Sequence, residues 1–346
     1  MRVAIVAPPW LPVPPPAYGG TEAVLDGLAR GLEAGGHEVL LVTTGDSTSP
    51  VPTRHFYEHS IGVGAGTATS ELNHVLFAYQ QFEGVDIVHD HTLVGPLYSE
   101  WFPHLRVLTT NHGPFEGDLY PFYRAICDRV PIIAISRHQA SMAPDVRVAR
   151  VIHHGIDVNQ FPVGRGQGGY ALFLGRCHPN KGVHVAATVA REAGVPLLIA
   201  AKCSEPLEVD YFEHRVRPLL GGDIQFVGEA DRLTKLDLLA DAACLLNPID
   251  WAEPFGMVML EALACGTPVV ASDRGAAPEI VEDGRVGFVC NDPETLVEAL
   301  AKVDSIDRSY CRSHVARRFS VSRMVDEHVA LYEEILSKTT KSEHYW

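Results

Sequence analysis

The sequence predicts an α/β protein made of two doubly wound, Rossmann-like domains that face each other across a cleft. Three observations lead there. Short apolar runs alternate with amphipathic stretches along nearly the whole chain, as expected of βα units on parallel sheets. The alternation breaks once, at the glycine-rich polar segment DVNQFPVGRGQGG (157–169), and then restarts. The 346 residues are enough for two domains of ordinary size.

Taken in order, residues 3–7 read as a first strand that runs into a proline-rich loop, PPWLPVPPPAYGG. Residues 21–33 place Ala23, Val24, Leu28, Ala29 and Leu32 on one side of a helix. Gly35-Gly36 stop it, and 39–42 is a second strand. Strands follow at 85–88, 107–109, 132–135 and 148–152, with helices between them. Beyond the break, which reads as a linker, strands are expected at 170–174, 197–200, 224–227, 243–246, 268–271 and 287–289. Helices are expected at 183–193, 231–240, 257–265 and 293–303. An Arg-rich segment leads to a last amphipathic helix at 321–336, and the tail SKTTKSEHYW reads as frayed. The expected domains are 1–160, joined by a C-terminal helix at about 322–346, and 161–321. Ligands of such sheets bind at the carboxyl ends of the strands, so the cleft is the expected site.

Composition excludes several function classes. The formal net charge of −15 argues against nucleic acid and against an anionic membrane surface. The seven cysteines are scattered, odd in number and contain no CxxC, which fits buried free thiols in a reducing cytoplasm. The opening MRVAIVAPPW reads as a strand rather than a leader. No apolar run is long enough for an integral membrane segment.

The most informative stretch is NPIDWAEPFGMVMLEALACGTPVVA (247–271), which reads as loop, helix and strand. Met257, Leu260, Leu263 and Ala264 recur at helical spacing, and the amides of Phe255, Gly256 and Met257 at the helix start form an anion site. Glu253 and Glu261 frame that start with seven residues between them; Glu261 lies on an otherwise apolar face, where a carboxylate needs a partner. Amides for an anion and carboxylates for hydroxyls suit a sugar nucleotide. Arg176 and Lys181 join a strand end to a helix start and suggest a pyrophosphate clamp. Gly19-Gly20 sits between first strand and first helix, where amides can approach a phosphate, or simply turns the chain. The GxGxxG match at Gly164, Gly166 and Gly169 precedes a strand, so it fails as a dinucleotide fingerprint. His89-Asp90-His91, at a strand end, reads as structural or acceptor-side rather than as a metal site.

Several of these segments, in order along nearly the whole chain, resemble the retaining glycosyltransferases of family 4, with the two-domain GT-B fold. They are Gly19-Gly20, TTNHGPF with His112, AISRH with Ser136, HHGIDVNQF, LFLGRCHPNKG, IQFVGEA, the Glu253/Glu261 frame, GTPVVAS and PEIVEDGRVGF. The resemblance implies a nucleotide-sugar donor on the second domain. Arg176 and Lys181 would hold its diphosphate, Glu261 its ribose and Glu253 its sugar. Backbone near Gly228 would touch the base, and Phe255, Gly256 and Met257 would offer amides. Gly20 would close the phosphate site from the first domain, and His112 would reach the donor sugar. It also implies retained anomeric configuration, with the leaving phosphate taking the acceptor proton and no metal required, since no DxD motif occurs. The chain departs from the family at His154-Gly155, where Asn-Gly is common, and at Lys202, where a glycine-containing turn is common.

The expected activity is glycosyl transfer from a nucleoside diphosphate sugar, UDP first among the bases, to a small-molecule or glycan acceptor. The chain also resembles small transferases that decorate secondary metabolites, including those of avilamycin-type antibiotic pathways. Acceptor contacts are expected from loops 44–66 and 115–123, with Phe115, Tyr120, Phe122 and Tyr123 lining the site or packing. Two other readings stand beside this one: a nucleotide-sugar epimerase or hydrolase, and a non-catalytic nucleotide-sugar-binding protein.

Overall fold

In this computed structural model, which describes residues 1–17, 19–62 and 68–339, every apolar run named above forms a strand. The first sheet contains β1 (Arg2–Val6), β2 (Glu38–Thr43), β3 (Thr53–His55), β4 (Ile87–Asp90), β5 (Val107–Asn111), β6 (Ile132–Ala134) and β7 (Val148–Val151). Its order is β3-β2-β1-β4-β5-β6-β7, all parallel. The second contains β8 (Ala171–Arg176), β9 (Leu197–Lys202), β10 (Ile224–Gly228), β11 (Cys244–Asn247), β12 (Val269–Ser272) and β13 (Gly287–Cys290). Its order is β10-β9-β8-β11-β12-β13, also parallel. Each sheet reverses its winding once, between β1 and β4 and between β8 and β11, which makes both units doubly wound.

The runs are continuous rather than alternating because the central strands are covered on both faces. Val3, Ala4, Ile5 and Val6 of β1 are all at most 1% exposed. β3 carries no apolar run, since Thr53, Arg54 and His55 lie on an exposed edge, and the sequence reading passed over it. It also passed over the helices Pro206–Tyr211 and Arg308–Arg318, the second of which lies within the Arg-rich segment.

The chain divides into two compact units: Met1–Gly155 with Val321–Trp346, and Ile156–Ser320. The glycine-rich segment read as a linker is strapped to the second unit. The amides of Gly164, Gly166 and Gly168 donate to the carbonyls of Cys265, Ala240 and Asp241 at 2.9, 3.2 and 2.9 Å. Arg308 donates to Gly164 O (3.4 Å) and Ala240 O (3.2 Å), and Arg312 to Phe161 O (3.0 Å) and Val158 O (2.7 Å). A Cβ at Gly164 would lie 2.0 Å from Ala240 O, so here glycine permits close approach rather than freedom.

The last helix, Val321–Thr339, belongs to the first unit and packs on the helix Gly20–Ala34. A Cβ at Gly31 would stand 2.5 Å from Val325 Cγ2, so glycine sets the spacing of the two helices. Tyr332 on the last helix is fully buried, with its hydroxyl 2.7 Å from His89 Nδ1 on β4. Tyr18, residues 63–67 (the end of the 44–66 loop and the residue after it) and the tail from 340 onward lie outside the described residues. Among the described residues no helix is long and apolar enough to cross a membrane.

Candidate functional site

In the second unit the winding reversal places the ends of β8 and β11 side by side, at Arg176 and Asn247. The loops that follow are tied together. The Asp250 amide donates to Asn180 O at 2.9 Å. Gly182 has φ +72, and a Cβ there would lie 2.0 Å from Pro248 O. Lys181 ion-pairs with Glu253 Oε2, which also accepts from Trp251 Nε1 at 2.9 Å. The Lys181 ammonium lies 5.2 Å from the centre of the Trp251 ring. The Glu253 backbone is clamped from the other side, where Ala276 N donates to Glu253 O at 2.9 Å. Gly256, at φ +97, then turns the chain into the helix Met257–Ala264, so Phe255, Gly256 and Met257 present the helix's first amides beside this loop pair.

The other expected donor residues have contacts of their own. Glu261 does not lie on the buried face. Met259, Leu260, Ala262, Leu263 and Ala264 are buried, whereas Glu261 is partly exposed and its Oε1 is 2.6 Å from Lys235 Nζ. Its partner is therefore a lysine from the helix Arg232–Asp241, a position with no signal in the sequence. Arg176 Nη1 lies 3.8 Å from the buried Glu208 carboxylate. Gly228 ends the edge strand β10 at φ +83, just past a register shift.

In the first unit the corresponding reversal lies between β1 and β4. Gly19 (φ +151) and Gly20 lead into the helix Gly20–Ala34. Glu22 in its first turn is buried, which raises its carboxyl to about 7 against the pull of its own amide. At the end of β4, Asp90 is likewise raised to about 7 by burial, although Thr92 and Tyr79 donate to it at 2.7 and 2.9 Å. His91 follows, its Nδ1 2.9 Å from Nε2 of His112, which comes just after β5. The His112 ring stacks on His154 at 5.3 Å. His89 lies 2.8 Å from Thr110 Oγ1 and its ring is 5.3 Å from that of His328. Burial holds His112 and His328 down at about 4, and His89, His91 and His154 well below the ordinary range. All five are neutral imidazoles at pH 7, able to hydrogen-bond a hydroxyl without presenting a charge. His89 and His91 do not converge with a third ligand; among the described residues no three His, Cys, Asp or Glu are placed to hold a metal.

Four of these histidines sit at or just after strands of one sheet, a pattern available to the sequence reading but not used; His328, on the returning helix, was not. Glu208 also had a signal, since Glu205-Pro206-Leu207-Glu208 spells the capping box that the structure forms. Of the expected acceptor aromatics, Phe115 and Tyr123 pack in a core with Ile126 and Ile132. Phe122 packs on the Tyr123 ring at 4.9 Å. Phe115 and Tyr123 are therefore core residues, while Tyr120 and Phe122 are half-buried at the margin of that core.

Comparison with known proteins gives a consistent picture. Residues 18–160 match the family model described as Glycosyltransferase Family 4, and 168–304 the model described as Glycosyl transferases group 1. A phosphatidyl-myo-inositol mannosyltransferase of Mycolicibacterium smegmatis is 29% identical, the match covering 83% of this chain and 80% of that protein. An alpha-maltose-1-phosphate synthase of Mycobacterium tuberculosis is 28% identical, with 83% and 84% covered. Among solved structures, AviGT4, a glycosyltransferase involved in avilamycin A biosynthesis, aligns with a TM-score of 0.75 at 25% identity, covering 97% of this chain and 98% of that one.

Proposed function

Because the chain belongs to the GT-B glycosyltransferases, with a family 4 half and a group 1 half, we propose that it transfers a sugar from a nucleoside diphosphate sugar to an acceptor hydroxyl with retained configuration. The observation that carries the donor assignment is the locked loop pair at the ends of β8 and β11, where Lys181 and Glu253 meet beside the amides of a helix start. A leaving diphosphate gathers charge as the glycosidic bond breaks. Cations and helix amides fixed in advance stabilise that charge without reorganising.

In this reading Arg176 and Lys181 hold the diphosphate. Lys181 exchanges its Glu253 partner for phosphate oxygen and frees Glu253 for the sugar hydroxyls. Glu261 takes the ribose hydroxyls, Gly228 borders the base, and UDP is the first base to test. Gly20 and His112 are the first unit's donor contacts, His112 as a neutral hydrogen-bonding group. The leaving phosphate takes the acceptor proton, and catalysis needs no metal. The neighbour from an antibiotic pathway supports a small, hydroxyl-bearing acceptor, with a secondary metabolite first in line, while the relative named for phosphatidyl-myo-inositol supports a lipid acceptor.

The test is calorimetry with UDP, GDP, ADP and dTDP, with and without magnesium. One diphosphate should bind equally in both conditions, and Glu261→Ala should weaken it by roughly 1.5–3 kcal/mol, the range for hydrogen bonds to a charged group. Silence from every diphosphate would overturn the donor assignment. Rapid nucleotide release without acceptor would point instead to the hydrolase or epimerase.

A further inference from the structure

The ends of β8 and β9 hold an arrangement of which the donor assignment above uses only Arg176. Arg176 and Lys202 are register partners on these two parallel strands, so two cationic side chains leave neighbouring strands on the same face. Cations that close repel, and the arrangement needs a fixed counter-charge. Glu208 supplies it. Its side chain is 1% exposed, its Oε1 lies 3.8 Å from Arg176 Nη1, and its Oε2 lies 3.7 Å from Lys202 Nζ. Oε2 is held from behind by the amides of Ser204 (3.1 Å) and Glu205 (3.2 Å), and Oε1 accepts no hydrogen bond among the described residues. Both approaches to the cations are longer than a hydrogen bond, so Glu208 attracts them without capturing their N–H donors. Lys202 itself is engaged by Glu205 at 2.7 Å, but that carboxylate is 39% exposed and can give way to an arriving anion.

We propose that Lys202 is a third cation of the diphosphate site and that Glu208 is a positioning residue, holding Arg176 and Lys202 at the separation that two linked phosphates require. This rests on the donor reading above. A single phosphate would need only one of the two cations, so the device selects for a diphosphate over a monophosphate. The buried carboxylate also keeps the cation pair in place while the site is empty, so less ordering remains when the donor arrives.

The test is calorimetry with the nucleoside diphosphate that the wild-type protein binds and with its monophosphate. Lys202→Ala should weaken the diphosphate tenfold or more and the monophosphate less than threefold. Glu208→Gln keeps an acceptor for the Ser204 and Glu205 amides, so its melting temperature should stay within a few degrees of wild type. It should weaken the diphosphate at least fivefold, and that loss should shrink in the Lys202→Ala background, where only Arg176 is left to hold. Equal losses for both nucleotides in Lys202→Ala would overturn the third cation. Tighter diphosphate binding in Glu208→Gln would mean that Glu208 only neutralises charge, and an undiminished Glu208→Gln loss on Lys202→Ala would mean that it acts elsewhere. If Glu208→Gln does not fold, the diphosphate-to-monophosphate ratio in Lys202→Ala decides. Wild-type protein that binds no diphosphate overturns the donor reading itself, a result distinct from any of these.

Discussion

At the scale of single residues, the candidate donor site depends on glycines as much as on charges. Gly275 has φ +56, and a Cβ there would stand 2.2 Å from Glu253 O and 2.4 Å from Glu253 N. Gly275→Ala therefore meets both a left-handed backbone, costing about 1–2 kcal/mol, and a collision with the backbone of the residue that holds Lys181. Diphosphate affinity should fall together with thermal stability; a variant with normal affinity would show that Glu253 can move without consequence. Charged residues at this scale were legible where they sat in a recognisable segment, as Arg176, Lys181, Glu253 and Glu261 did. Their partners were not. Lys235 meets Glu261 only because the chain folds back, and no local spacing encodes that; Trp251 reaches Glu253 from two residues away, but nothing in the pattern marks it as a partner.

At the scale of elements, strand positions were read well, because strands covered on both faces must be apolar throughout. The glycine-rich segment was misread for a physical reason: glycine serves both flexibility and close contact, and a sequence does not tell the two apart. What settles it is the helix Arg308–Arg318, which the sequence reading left as an Arg-rich stretch. The Arg308 guanidinium is half-buried and donates to Ala240 O (3.2 Å), Ala242 O (3.1 Å) and Thr267 Oγ1 (2.7 Å). Arg308→Ala strands these acceptors and unfastens the segment. At about 1.5–3 kcal/mol per charge-assisted bond, it should destabilise the second unit by about 3 kcal/mol or more in urea unfolding. A loss below about 1 kcal/mol would mean that water replaces the guanidinium without cost.

At the scale of the whole molecule, the histidines of the first unit give stability a pH dependence. Burial holds His74, His89, His91, His112, His154 and His328 below the ordinary range, with His74, His112 and His328 at about 4. It also holds Glu22, Glu71 and Asp90 above theirs. As pH falls from 6.5 toward 4, the unfolded chain takes up protons on six histidines that the folded unit leaves neutral. The three carboxylates act the other way, since the folded unit keeps protons that the unfolded chain releases. The histidines outnumber the carboxylates, so the net proton excess lies on the unfolded side and stability falls with pH. Melting curves at pH 7, 6 and 5 should fall steeply, and a flat series would show that the imidazoles charge in place. The return of the last helix has a consequence for biosynthesis. The second unit is one continuous span, Ile156–Ser320, and its whole sequence has been translated before Val321 is added. The first unit, although most of it is made before the second, lacks His328 and Tyr332 until the helix Val321–Thr339 emerges. A message cut between the codons for Ser320 and Tyr332 would therefore leave the second unit whole and damage the first, most of which is encoded upstream of it.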